Sequence, residues 1–249
     1  MRGLDGTAVG YETPGHVVVF LVPVVAFLLW LTTLGRGLST RAKLAIGAIG
    51  AATSGSITVA TWALAVMGTW YGVPRVTLWE IEVMEPTNIV VLSAFLLVGG
   101  LSSLALVTGY LSAGNSLLVE STRIAALLLG LKGALSLALS SLTAYAWLSY
   151  RWDMILAFKE TTDIIYVLMI PNLMIYMLTW LACSYALRDV GLQAGSKSAI
   201  VAALLFLITP IAGLLLLLGG TDPTYSFMIP GLADLLVVPI FLRIGRKTG

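Results

Sequence analysis

Residues 77–90 read TLWEIEVMEPTNIV, and this stretch decides where the first clear lipid boundary of the chain is drawn. Three carboxylates, Glu80, Glu82 and Glu85, stand directly before Pro86 and a long apolar run. Residues 86–111 alone supply 26 mainly apolar positions, and about 20 suffice to cross ~30 Å of hydrocarbon. The span needs no help from the glutamates, so the stretch belongs outside the bilayer. Pro86 suits the first turn of a helix, where its missing N–H is no loss, and Glu85 complements the positive end of the helix dipole. Read as helix, Glu82 and Glu85 share a face and Glu80 turns away. The three are therefore expected to form an outer vestibule that draws cations, and they make a poor compact catalytic site.

Composition extends this reading to the whole chain. Of 249 residues, 59% are hydrophobic and 10% charged, whereas a soluble domain carries roughly 25% charged residues. The expected fold is an all-α integral membrane protein, a single transmembrane domain over 1–249 with seven spans: 16–34, 44–69, 86–111, 123–148, 163–187, 197–219 and 226–243. The leading segment, MRGLDGTAVGYETPG, lacks a strongly basic start and a small-residue cleavage pattern, so the first span reads as retained. Nine basic residues fall on one side of these spans: Arg36, Arg41, Lys43, Arg123, Arg188, Lys197, Arg243, Arg246 and Lys247. The other side has Arg2, Arg75, Arg151 and Lys159 with most of the carboxylates. By the positive-inside rule the N-terminus is expected outside and the C-terminus in the cytoplasm of a cell membrane. Trp70, Trp79, Trp147 and Trp152 gather at the outer boundary, as an interfacial belt does. RWDMILAFKETT, residues 151–162, mixes charges with Trp152, Ile155, Leu156 and Phe158 and predicts a short helix lying on the outer surface.

Three weak internal matches recur in order. VVVFLVPVVAFLL (17–29) aligns with IYVLMIPNLMIYM (165–177), Pro23 falling on Pro171, while KLAIGA (43–48) aligns with KSAIVA (197–202) and MEP (84–86) with MIP (228–230). They suggest a parallel three-plus-one-plus-three repeat, with halves 16–111 and 163–243 joined by span 123–148.

Inside the spans two charges stand out. Lys132, in LLLGLKGALSLAL, lies about 13 Å from the cytoplasmic boundary at 1.5 Å per helical residue, and Asp234, in IPGLADLLVVPIF, comes to nearly the same level. A charge at such depth costs at least about 2.5–3.5 kcal/mol on insertion scales, so each needs a partner, water or neutralisation. The two are expected to face one another or share a polar cavity, as a binding site or as an ion pair that fixes packing. Pro23, Pro171 and Pro210 fall near this depth and Pro230 and Pro239 bracket Asp234, which makes them candidate helix hinges. Freed backbone carbonyls there need polar neighbours. Asn172, beside Pro171, and Ser54, Ser56 and Thr58 in the second span are the candidates to supply them, and Asn172 with Asn88 would offer hydrogen bonds to a bound solute.

His16 is the only histidine and sits at the mouth of the first span, which excludes bis-histidine haem and multi-histidine metal sites. Cys183 is the only cysteine, so no intramolecular disulfide or multi-cysteine metal site is available. No G-x-S-x-G or phosphate-binding loop occurs, and no basic patch supports nucleic-acid binding. No cofactor or metal is called for, and enzymatic activity is not indicated.

Seven spans, the repeat, the aligned prolines, WYGVP at 70–74 and DPTYSFMIP at 222–230 together resemble the architecture of SWEET-type small-solute transporters, although the second span lacks the proline of that pattern. Microbial rhodopsins share the topology, but Val238 stands four residues after Asp234 where their retinal lysine would be. The resemblance implies a small-solute transporter or permease with a polar site near mid-membrane. Two alternatives are a non-catalytic membrane subunit of a larger complex, for example a respiratory one, and a rhodopsin-like sensor without a retinal lysine. The expected partners are the lipid bilayer, with a homo-oligomer or other membrane subunits left open.

Overall fold

The computed structural model describes residues 37–67, 75–78, 81–84, 86–221 and 223–248. The expected first span, with His16 and Pro23, and the glutamates Glu80 and Glu85 lie outside the described residues. Six helices follow in order: α1 (Thr40–Val66), α2 (Pro86–Leu117), α3 (Ser121–Arg151), α4 (Ile155–Ala194), α5 (Lys197–Leu218) and α6 (Met228–Lys247). All six are long and apolar enough to cross a membrane. Their outward faces carry large apolar side chains at mid-helix, among them Ile49, Leu97, Leu127, Val167 and Ile211. Such a surface suits lipid and not water, so the chain is a multi-pass membrane protein.

Two expectations are corrected. Residues 75–84 are not helical: β1 (Arg75–Leu78) pairs antiparallel with β2 (Ile81–Met84). The register sets Val76 opposite Val83, Leu78 opposite Ile81 and Thr77 opposite Glu82. The sequence here alternates apolar and polar residues with the period of two that suits a strand, and β-branched valine, isoleucine and threonine favour it. Glu82 therefore sits on a strand beside the bundle, and the helical face it was expected to share with Glu85 does not exist. The second correction concerns residues 151–162. No separate surface helix forms; after a break at Trp152–Asp153, where Asp153 takes a left-handed φ of 54°, α4 runs without interruption from Ile155 for 40 residues. At 1.5 Å per residue that is about 60 Å, twice the hydrocarbon thickness, so its first turns project past the apolar layer.

Each helix packs on the next in sequence, and α6 returns to α1, so the six close into a ring. All the helix ends nearest the hairpin lie at one end of this ring. Arg41, Lys43, Arg123, Arg188, Lys197, Arg243, Arg246 and Lys247 lie at the other, which is called the basic end below. Ser39 caps α1 by accepting a hydrogen bond from the N–H of Ala42 at 3.2 Å. Gly195, with φ of 62°, closes α4 in the left-handed conformation that glycine adopts without cost and turns the chain into α5.

In lipid, helices gain nothing by hiding apolar surface from one another, so association depends on close packing and hydrogen bonds. Three glycine pairs supply the packing: Gly47 against Gly109 (α1–α2), Gly55 against Gly231 (α1–α6) and Gly100 against Gly133 (α2–α3). A Cβ on Gly55 would lie 2.7 Å from the carbonyl oxygen of Gly231, which is backbone and has little freedom to move aside. Hydroxyls add bonds between helices. Ser93 and Ser140 each donate to the other's carbonyl, at 3.1 and 2.9 Å, joining α2 to α3. Ser184 donates to the Ala203 carbonyl at 2.7 Å between α4 and α5. At the basic end Ser121 donates to Asp189 at 2.7 Å, tying the start of α3 to the last turns of α4.

Gly55→Val is expected to destabilise the bundle by about 1–3 kcal/mol or more, the usual cost of overpacking. Gly37→Ala, at an exposed position with nothing within 4 Å, should be neutral. Thermal unfolding in mild detergent, followed by loss of the monodisperse elution peak, compares the two.

Candidate functional site

The ring encloses a cavity of about 220 Å³ at mid-depth, far more than a single water needs. Helical periodicity builds its walls. Ser54, Ile57, Thr58 and Thr61 present one face of α1, and Leu92, Phe95, Leu96 and Gly99 one face of α2, each set spaced i, i+3, i+4, i+7. Lys132 enters from α3 and Asp234 from α6, while α4 contributes Asn172, Tyr176 and Trp180. On α1, α2 and α4 this lining runs from mid-helix toward the hairpin end. Thr58 and Thr61 donate back to the carbonyls of Ser54 and Ile57, at 2.7 and 2.8 Å, which leaves their oxygens as acceptors.

The two intramembrane charges share this cavity without forming an ion pair. Asp234 is 8% exposed, and its Oδ2 accepts a 2.6 Å hydrogen bond from Ser54 Oγ. Lys132 is 6% exposed; its ammonium lies 4.2 Å from the centre of the Tyr176 ring. No described residue accepts a hydrogen bond from it or pairs with it. A desolvated cation over an aromatic face is held by about 2 kcal/mol or more, but the ring gives no lone pair to its N–H groups. Tyr176 is itself oriented by Ser136, its hydroxyl 3.3 Å from Ser136 Oγ. From Tyr176 an aromatic series continues through Trp180 to Phe227, with edge-to-face contacts at centroid distances of 5.9 and 6.2 Å. Asn172, 5% exposed, lines the cavity with an Oδ1 that has no hydrogen-bond partner among the described residues.

Below Asp234, toward the basic end, the interior closes. Val237, Phe241 and Ile244 continue the α6 stripe, and Phe241 meets the buried Tyr110 ring edge-to-face at 5.4 Å. Leu44, Leu106, Leu187 and Val190 complete a continuous packed layer. Beyond it lies a second cavity of about 240 Å³, walled by the ends of α2, α4 and α6 and carrying Arg243, Lys247, Ser116 and Gln193. The packed layer thus lies between the residues that line the first cavity and those that line the second.

Of the residues expected from sequence, Lys132, Asp234 and Asn172 come together here with Ser54 and Thr58. Asn88, half-buried in the first turn of α2, does not line the cavity. Pro171 and Pro239 are inside α4 and α6 and exposed on their outer faces, and Pro210 is inside α5. Pro230 is the third residue of α6, in the first turn, where a missing N–H breaks no helical bond. Tyr176 and Trp180 were missed, yet spacing held the signal: they follow Asn172 by four and eight residues, on the same helical face. The chain matches no known family model, no curated protein and no solved structure.

Tyr176→Phe keeps the ring under Lys132 and should leave thermal stability within about 0.5 kcal/mol. Tyr176→Leu removes the ring and should cost about 2 kcal/mol, the strength of a desolvated cation–π contact. Melting curves of the two purified variants test this, and equal loss in both would assign the stabilisation to the hydroxyl.

Proposed function

We propose that the protein is a small-solute permease of the cell membrane, binding its solute in the mid-membrane cavity between Lys132, Asp234 and Asn172. The observation that carries this reading is the pair of cavities, one at mid-depth and one at the basic end, with a packed layer between their linings. A permease working by alternating access needs such an arrangement: a site open toward one face while the path to the other is sealed. The polar groups also suit binding better than scaffolding. A structural ion pair gains most when the partners touch, whereas here the cation and the carboxylate stand apart around a space.

On this reading the hairpin end faces outward and the basic end lies in the cytoplasm, following the positive-inside rule. Below Asp234 the path toward the cytoplasm is closed by Tyr110 and Phe241. The repeat would make α1 with α2 the counterpart of α5 with α6, and rocking of the halves would carry the seal from one side of the site to the other. Pro171, Pro210 and Pro239, each interior to a helix, are the points at which bending costs fewest hydrogen bonds. Glu82 on the hairpin, with its neighbours in sequence Glu80 and Glu85, would give the outer mouth a negative field.

Counterflow tests this directly. Proteoliposomes preloaded with unlabelled amino acids, sugars, nucleosides and short carboxylates are exposed to labelled members of each class. At least one label should accumulate with the wild type, and Lys132→Met should reduce its rate at least tenfold while still eluting as a folded, monodisperse peak. Absence of any counterflow, together with stoichiometric co-purification of other membrane subunits, would replace the permease by the subunit of a complex.

A further inference from the structure

The chemistry of the cavity also restricts what it can take. Two groups around the space lack a hydrogen-bond partner among the described residues, and three more have accepting capacity to spare. The Lys132 ammonium has an aromatic face but no oxygen acceptor among the described residues. Asn172 Oδ1 is buried without a donor. Asp234 has one hydrogen bond, from Ser54, for a carboxylate able to accept about four. The Thr58 and Thr61 oxygens, their protons already given to the backbone, can only accept. The remaining wall is apolar, with Leu92, Leu96, Phe95, Met169, Trp180 and Phe227.

Each ligand class leaves a different deficit in such a site. A sugar offers many neutral hydroxyls to a wall that is mostly hydrocarbon, and it gives neither charge an ionic partner in direct contact. A simple anion satisfies Lys132 but brings a second negative charge near Asp234. A simple cation does the reverse. A molecule carrying one carboxylate, one ammonium and an apolar group meets every requirement: carboxylate on Lys132, ammonium donating to Asp234 and Asn172 Oδ1, apolar group against the aromatic and aliphatic wall. It brings no net charge into a cavity whose own charges cancel, so the loaded site stays neutral as it is carried through the low-dielectric core.

We infer that the cavity binds a small zwitterion of the amino-acid class with an apolar side chain, its carboxylate on Lys132 and its ammonium between Asp234 and Asn172. This inference rests on the reading of the cavity as a solute site and narrows that site to one chemical class. It also separates the protein from a neutral-sugar carrier, although the architecture resembles one.

Equilibrium binding to the purified full chain in detergent, read by Trp180 fluorescence and by calorimetry, tests it without any variant. The probes are L-leucine and L-phenylalanine, the amines left when their carboxylates are removed, the acids left when their ammonium groups are removed, and glucose. The zwitterions should bind at least tenfold more tightly than either truncated form and than glucose. Lys132→Met should then abolish the advantage of the zwitterion over the amine, and Asp234→Asn its advantage over the acid. Equal or tighter binding of an amine, an acid or glucose overturns the zwitterion assignment and leaves the permease reading standing. No binding by any probe also overturns the assignment, and counterflow of a different solute class in proteoliposomes then decides whether the permease reading survives.

Discussion

The close approach of α1 to α6 at Gly55 and Gly231 is the contact on which the rest of the arrangement depends. Ser54 immediately precedes Gly55, and Asp234 follows Gly231 by one helical turn. Only because two backbones meet without intervening side chains does Ser54 Oγ come within 2.6 Å of the Asp234 carboxylate. A carboxylate at this depth is tolerable in proportion to such hydrogen bonds. The same crossing also closes the ring, since α6 has no other strong tie to the first half of the described chain. Closure of the fold and solvation of its buried anion are thus one event, specified by two glycines 176 positions apart.

That coupling explains what could be read from sequence and what could not. Six of the spans followed from length and hydropathy alone, because lipid forces every backbone polar group to be satisfied within a helix and leaves few alternatives. Depth counting brought Lys132, Asp234 and Asn172 to one level, and one cavity holds all three. Depth does not give rotation about the helix axis, however. A ring of six helices has many rotational settings at the same depth, and packing selects among them. Asn88 shows the limit of residue type as a signal: a candidate polar ligand, it lies half-buried in the first turn of α2 and does not line the cavity. The glycine pairs that set those rotations are visible in sequence only as small residues, which are frequent in membrane helices and do not name their partners.

The errors of secondary structure have a different origin. Residues 75–84 alternate with a period of two, but their glutamates and the following Pro86 drew attention to helix-start chemistry, which is real one residue later, where α2 begins. In residues 151–162 the charges argued for an interfacial segment. The membrane helix α4 instead begins inside this stretch, at Ile155, because water outside the apolar layer accommodates Lys159 and Asp163, which pair at 3.3 Å on adjacent turns. A boundary of the membrane is not a boundary of the helix.

The asymmetry between the two halves of the bundle bears on mechanism more than any single residue. Toward the basic end, alanines such as Ala48, Ala113 and Ala186 let the helices converge, with Tyr110 and Phe241 filling the axis. Toward the hairpin end the axis carries Thr58, Thr61 and larger side chains that hold the helices apart around empty space. On the permease reading, opening the sealed side would separate these small-residue contacts, while the Ser121–Asp189 hydrogen bond at the same end would keep α3 and α4 together. Meanwhile the Ser54–Asp234 bond and the Gly55–Gly231 crossing lie above the seal and can persist through the change. On the permease reading, a switch of this kind would keep its charged site intact in both states and would move mainly apolar contacts, a less costly way to alter access to a buried charge within lipid than breaking its hydrogen bonds.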